Sequence, residues 1–257
     1  MIRVEALSHR YGDKPSLVEV RFMLAAGEKA VLLGSNGSGK STLLKILDGL
    51  IAPQAGAVFY EEQHITPDEL RHGPLRHRFR QEVALLFQNP DVMLFNPTVY
   101  DEIAFGPRQM GLSGIPERVA HWADLLGVTP FLKRPPFTLS GGEKQKVALA
   151  ALLVVEPKLL LLDEPAASLD PRSTGWLVDF LADLPITLLT TTHNLGLAPE
   201  LGARTLVLGE DHRLLYDGPI EPFLNDTDKL VAANLAHVHR HKHGGVEHRH
   251  WHTHDWQ

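Results

Sequence analysis

Between an apolar run, Ala30-Val31-Leu32-Leu33, and a stretch of helical spacing, Thr42–Leu50, lie eight residues that few folds can accommodate: Gly34-Ser35-Asn36-Gly37-Ser38-Gly39-Lys40-Ser41. Glycine at 37 and 39 frees main-chain N–H groups to converge without a Cβ in the way. Amides converging at a helix N-terminus make an anion cradle, and the pattern fits the loop that wraps a nucleotide β-phosphate. Lys40 would add a full positive charge. Ser41 would offer a hydroxyl to Mg²⁺, which prefers oxygen ligands and keeps several waters. A glycine-rich turn before an ordinary helix reads the same way locally, but the strand before it and the helix after it favour the phosphate loop.

The rest of the chain suits such a loop. Short apolar runs, Lys29–Leu33, Val83–Phe87, Leu159–Leu162 and Ile186–Thr190, alternate with longer segments of helical spacing, which predicts a mainly parallel sheet. Leu159–Leu162 is apolar on both pleat faces, as a strand covered on both sides requires, although four leucines also suit a helix. Between Asn89 and Pro136 the strand-like runs stop, and proline and glycine punctuate two expected helices, Tyr100–Met110 and Pro116–Gly127. This stretch reads as a helical insert. Thr205–Leu208 and Arg213–Tyr216 are expected strands flanking a hairpin turn at Gly209–His212, and a short helix over Pro222–Leu235 closes the fold.

Composition narrows the chemistry. A chain of 257 residues is one large α/β domain or at most two small ones. With no cysteine, disulfides, thiolate zinc sites, iron–sulfur clusters and thiol nucleophiles are excluded, and an intracellular location is expected. The formal charge of −6 speaks against a nucleic-acid backbone as partner. The longest apolar run, Val147–Val155, has nine residues, about half of the ~18 that indicate a membrane span. The N-terminal residues alternate like a strand and lack the basic-then-apolar plan of a secretory signal.

Two further motifs carry candidate chemistry. Asp163-Glu164-Pro165 follows the leucine run, where open α/β sheets bind ligands. Asp163 suits Mg²⁺ held through water, and Glu164 suits the general base toward an attacking water. By itself, Asp-Glu-Pro is also an ordinary strand-ending turn. Leu139-Ser140-Gly141-Gly142-Glu143-Lys144-Gln145 precedes the helical run Lys146–Val155, placing a serine hydroxyl and two unhindered amides at a helix start. A capping box between Ser140 and Glu143 is compatible with an anion site there.

Phosphate loop, Leu-Ser-Gly-Gly, Asp-Glu-Pro, Ser168-Leu169-Asp170 and His193 occur together and in one order, and in this the chain resembles ABC-transporter nucleotide-binding subunits over roughly residues 1–220. The resemblance implies an α/β P-loop NTPase core with a mainly parallel sheet, an antiparallel β part and a helical subdomain inserted at about 90–155; beyond the reach of the resemblance, residues 221–236 are expected as a C-terminal helix. It implies ATP with Mg²⁺ and assigns the nucleotide to Gly34, Ser35, Asn36, Gly37, Ser38, Gly39, Lys40, Ser41 and Thr42, with Tyr11 stacking on adenine. Gln88 would sense Mg²⁺ and the γ-phosphate, His193 would contact the γ-phosphate and steady the water, and Glu164 would be the base. Ser140, Gly141 and Gly142 would close over ATP held by a second ATPase subunit, identical or homologous. The remaining implied partners are a transmembrane coupling protein and a membrane substrate-binding component, at the cytoplasmic face of the cell membrane.

Phe87-Gln88-Asn89-Pro90-Asp91 with Leu94-Phe95, Pro97-Thr98-Val99 and Ala104-Phe105-Gly106-Pro107 resembles the energy-coupling-factor importers, especially their cobalt and nickel ATPases. Those commonly carry Asp-Gln where this chain has Val92-Met93, and aspartate where it has Asn194. Of 15 histidines, eight (His237, His239, His241, His243, His248, His250, His252 and His254) fall in the last 21 residues. This tail, 237–257, is expected to be flexible and to bind Ni²⁺ or Co²⁺, since imidazole suits such ions; an inert solubilising extension is the alternative. Rival readings keep the ATPase but change the cargo to zinc or a vitamin, or make the chain a soluble ABC ATPase or a metal-storage module.

Overall fold

A computed structural model of the protein describes the backbone of residues 1–243 and 246–253 and the side chains of residues 1–236. Strands β1 (Ile2–Tyr11), β2 (Lys14–Leu24), β4 (Ala55–Tyr60) and β5 (Gln63–His64) pair as an antiparallel sheet ordered β2-β1-β4-β5. A second sheet joins β3 (Lys29–Gly34), β6 (Val83–Leu86), β7 (Leu159–Leu162), β8 (Thr187–Thr191), β9 (Arg204–Leu208) and β10 (Leu214–Pro219) in the order β10-β9-β3-β8-β7-β6. All its pairings are parallel except that of β10 with β9. The four leucines of β7 are all buried, which settles that run as a central strand.

Successive residues of a strand face opposite ways, and the parallel sheet divides two cores by that alternation. One face gives Val31, Leu33, Leu160, Leu162 and Val207 to a cluster shared with α4 (Val99–Gln109), α5 (Ile115–Leu125), α6 (Gly141–Leu153) and α7 (Pro171–Asp183). The other gives Ala30, Leu32, Leu159, Leu161 and Leu189 to a cluster with α1 (Lys40–Leu47), α2 (Pro67–His72), α3 (Leu75–Glu82) and the antiparallel sheet. Helices α4 and α5 begin and end within two residues of the expected Tyr100–Met110 and Pro116–Gly127, whereas α6 begins at Gly141, ahead of the expected Lys146, because the capping box of Ser140 and Glu143 starts it there. Thr98 caps α4 through its side chain, and Pro116 sits in the first turn of α5, where its missing N–H costs nothing.

The closing helix is not single. Beyond α8 (Ala198–Leu201), the segment expected as one helix is two, α9 (Ile220–Leu224) and α10 (Thr227–Ala232). Asn225 ends the first, and the Asp226 carboxylate accepts from Lys229 N to start the second. A good N-cap in mid-segment competes with helix continuation. Within the tail, β11 (Ala236–His243) and β12 (Val246–Thr253) pair antiparallel as a ribbon; His254 lies outside the described residues.

Asp48 ends α1 in a partly buried position, where desolvation pushes its carboxyl up to about 7 despite the opposing charge of Arg80. The folded form therefore keeps this proton to a higher pH than the unfolded chain, so stability declines as pH rises from 3.8 to about 7. Asp48→Asn is expected to stabilise the protein by about 1–3 kcal/mol at pH 8 and by less at pH 5. Chemical denaturation at both pH values measures the difference.

Candidate active site

Parallel pairing brings the C-terminal ends of strands to one edge, and β3, β8, β7 and β6 are neighbours in that order. Four segments remote in sequence therefore meet: the phosphate loop after β3, Thr191 to His193 at the end of β8, Asp163 and Glu164 after β7, and Gln88 after β6.

The loop needs its glycines for different reasons. Gly37 has φ +85° with open space where a Cβ would stand, so it supplies conformation. At Gly39, φ +111°, a Cβ would lie 2.1 Å from Ser16 O, so it also supplies room. Lys40 is buried, and its ammonium donates to Gly34 O at 2.7 Å and Ser35 O at 3.2 Å and lies 3.4 Å from Glu164 Oε1. The Ser38 hydroxyl is buried and finds no hydrogen-bond partner among the described residues. A cavity of about 280 Å³ is lined by Ser16, Asn36, Gly37, Gly39, Lys40, Ser41, Thr42, Gln88 and Glu164. Main-chain amides and a buried ammonium suit a polyphosphate, while hydroxyl, amide and carboxylate oxygens are the hard donors that suit Mg²⁺.

At the carboxylate end both Asp163 and Glu164 are buried. Thr191 ties them together: its hydroxyl donates to Asp163 Oδ1 at 2.9 Å and accepts from Glu164 N at 2.8 Å. Glu164 adopts φ +47°, a left-handed conformation that costs a non-glycine residue about 1–3 kcal/mol and persists only where surrounding contacts impose it. Its second oxygen, Oε2, lies 2.5 Å from His193 Nδ1, so the carboxylate is shared between Lys40 and His193. Thr191→Val keeps the shape but leaves a buried N–H without its acceptor, and is expected to cost about 1–3 kcal/mol of stability. Urea unfolding of the variant measures it; a loss under 0.5 kcal/mol, roughly the floor for a net hydrogen bond, contradicts this account.

Gln88 sits on a braced loop. Phe87 N donates to Met93 Sδ at 3.4 Å, and Asp91 pairs with Lys144 of α6 at 2.7 Å. At position 93 the departure from the importer pattern thus gives a side chain that ties down this loop. Asn194 has a local task too, its Oδ1 accepting from Leu197 N at 2.9 Å. Thr191 and Ser16, whose hydroxyl donates to Thr42 Oγ1, escaped the sequence reading, while Gln145, there only the last residue of a motif, donates to Pro165 O from a buried position. The signal for Thr191 was Thr190-Thr191-Thr192, three hydroxyls that close an apolar run and are themselves buried.

Gly34, Ser35, Ser38, Asp163 and His193 adjoin residues of the cavity without lining it, and two further groups of expected site residues stand apart from it. Tyr11, 54% exposed at the end of β1, meets His9 edge-on and does not line the cavity. Ser140, Gly141 and Gly142 do not line it either. They open α6 with the capping box, and hydrogen bonds from the Ser140 amide and hydroxyl hold the Glu143 carboxyl below its usual range.

The ABC transporter family profile matches residues 17–167. A putative ABC transporter ATP-binding protein of Methanosarcina acetivorans is 43% identical over 247 residues, covering 93% of this chain and 90% of the relative. The energy-coupling factor transporter ATP-binding protein EcfA of Methanothermobacter thermautotrophicus is 35% identical over 243 residues, covering 91% and 76%. Among solved structures, CbiO1 of Clostridium perfringens, described as part of the ABC transporter complex CbiONQ, matches with a TM-score of 0.76 and 32% identity over 91% of this chain and 94% of its own. Nucleotide-binding subunits of ABC transporters bind ATP with Mg²⁺ and act in pairs with transmembrane components. Matches of this length and identity place the chain in the ABC transporter family, as an ATP-binding subunit that hydrolyses ATP.

Proposed function

We propose that this subunit powers import of a divalent transition metal, nickel or cobalt, through a transporter of the energy-coupling-factor type. The likeness to CbiO1 over nearly the whole chain carries this reading, with EcfA and the 87–107 segment in support. The metal itself rests on the resemblance to nickel and cobalt ATPases.

A groove of about 390 Å³ between the parallel sheet and the insert is lined by Phe87, Val92, Met93, Phe95 and Phe105 among others. Val92 and Phe95 are about two-thirds exposed, at 67% and 66%. The buried Glu102 carboxylate holds the loop that presents Phe95, accepting from Phe95 N at 2.8 Å, Asn96 N at 2.7 Å and Asn96 Nδ2 at 3.1 Å. This groove is our docking face for a transmembrane coupling protein at the cytoplasmic side of the membrane; among the described residues no helix is long and apolar enough to cross a membrane itself. A membrane substrate-binding component would select the cargo.

Within the site, Lys40 and the loop amides would hold the phosphates, and Ser41, Gln88 and Asp163 would hold Mg²⁺, whose charge offsets that of the phosphates when bound. Glu164 would take a proton from the attacking water while His193 orients both. Ser140 to Gly142 would complete the site of a second ATPase subunit. The test of cargo is uptake of labelled nickel and cobalt by cells expressing the complete complex, with Lys40→Ala as the inactive control. Uptake of both metals equal to that control overturns the cargo assignment.

A further inference from the structure

The ATP site uses none of the tail histidines, yet the backbone gives them an order that alternation alone does not. β11 and β12 pair antiparallel, setting His237 opposite His252, His239 opposite His250, and His241 opposite His248. Cross-strand partners share a face of a ribbon and neighbours along a strand alternate between faces. One face therefore carries these six histidines together with His243 and Val246, and the other carries Ala236, Val238, Arg240, Lys242, Glu247, Arg249, Trp251 and Thr253. A slip of one residue would set each histidine against a residue of the other class.

Directly opposite positions of a ribbon have Cβ atoms about 4.5–5.5 Å apart, so the register sets histidine at three successive cross-strand pairs. Imidazole suits Ni²⁺, Co²⁺, Zn²⁺ and Cu²⁺, and with no cysteine in the chain a soft-metal thiolate site is excluded. We propose that the histidine face of the ribbon, formed by the pairs 237/252, 239/250 and 241/248, is a binding site for a divalent transition-metal ion. It is independent of the transport reading, because it rests on the register of β11 with β12 and on imidazole chemistry. Ligation needs the neutral ring, so affinity falls as pH drops below ~6.5.

The test is calorimetric titration of Ni²⁺ into the metal-free full chain at pH 7.5. Three variants are compared, with ATP turnover as the control for folding. Replacing His239→Gln with His250→Gln removes the central pair and is expected to weaken binding by more than about tenfold. Arg240→Gln with Arg249→Gln alters the opposite face and is expected to leave binding unchanged. The third exchanges neighbours along β12, by Glu247→His, His248→Glu, Arg249→His, His250→Arg, Trp251→His and His252→Trp. Composition is unchanged but the three histidines move to the other face, so affinity is expected to fall as in the first variant. Native affinity in this exchange variant, with turnover intact, shows a chelator without register and overturns the proposal, as does failure of the native chain to bind Ni²⁺ at micromolar concentration.

Discussion

Lys40→Ala is expected to weaken ATP binding by about 10²-fold or more and to remove measurable hydrolysis. The ammonium is buried among Gly34 O, Ser35 O and Glu164 Oε1, a cage of acceptors that leaves it pointing into the loop the phosphates would enter. Hydrogen bonds to charged groups contribute about 1.5–3 kcal/mol each, and more where water is excluded. Two such bonds to phosphate oxygens account for the loss. The variant also leaves Glu164 buried with His193 as its remaining partner, so a fall in unfolding free energy should accompany the loss of affinity. Equilibrium dialysis with labelled ATP gives the dissociation constant. Affinity within twofold of the native protein would remove Lys40 from the phosphate site.

Glu164→Gln is expected to divide the same two quantities differently. Turnover should fall by about 10²–10⁴-fold, the range for a general base, with ATP affinity preserved or increased. The amide keeps the shape of the carboxylate and its contact with Thr191 through the main chain, but it cannot accept a proton from water. It also withdraws a negative charge 3.4 Å from Lys40, leaving that ammonium freer to meet phosphate. A pair of subunits closed on uncleaved ATP should then outlast the native pair, and size-exclusion chromatography with Mg·ATP measures that lifetime alongside phosphate release. Near-normal phosphate release would assign the base to another residue.

Much of this site was legible from local chemistry. Gly37 and Gly39 stand where φ is positive and, at 39, where Ser16 O approaches too closely for any Cβ. Asp163 and Glu164 follow a strand apolar on both faces, and such strands end at the ligand edge of an α/β sheet. Less legible was what holds the carboxylates. Thr191 lies in the last position of β8, and its hydroxyl bridges Asp163 and Glu164 only because β7 and β8 are adjacent in register, with Leu162 opposite Thr190. The closing segment misread as one helix shows the same limit at smaller scale: a 3.6-residue spacing continues through Asn225-Asp226, but a capping carboxylate there ends one helix and starts another.

The sequence by itself determined the phosphate loop, the strand before it and the helix after it, because a missing Cβ, a hydroxyl or an ammonium at a given position acts within a few residues of itself. Only the tertiary structure decided that β3, β8, β7 and β6 lie side by side, and so that Lys40, Gln88 and Glu164 line one cavity while His193 meets the same Glu164 carboxylate. Strands buried on both faces are apolar throughout and present equivalent ladders of N–H and C=O, so their pattern does not specify which neighbour each will take. That order comes from how the crossover helices pack, and no window of the sequence contains it.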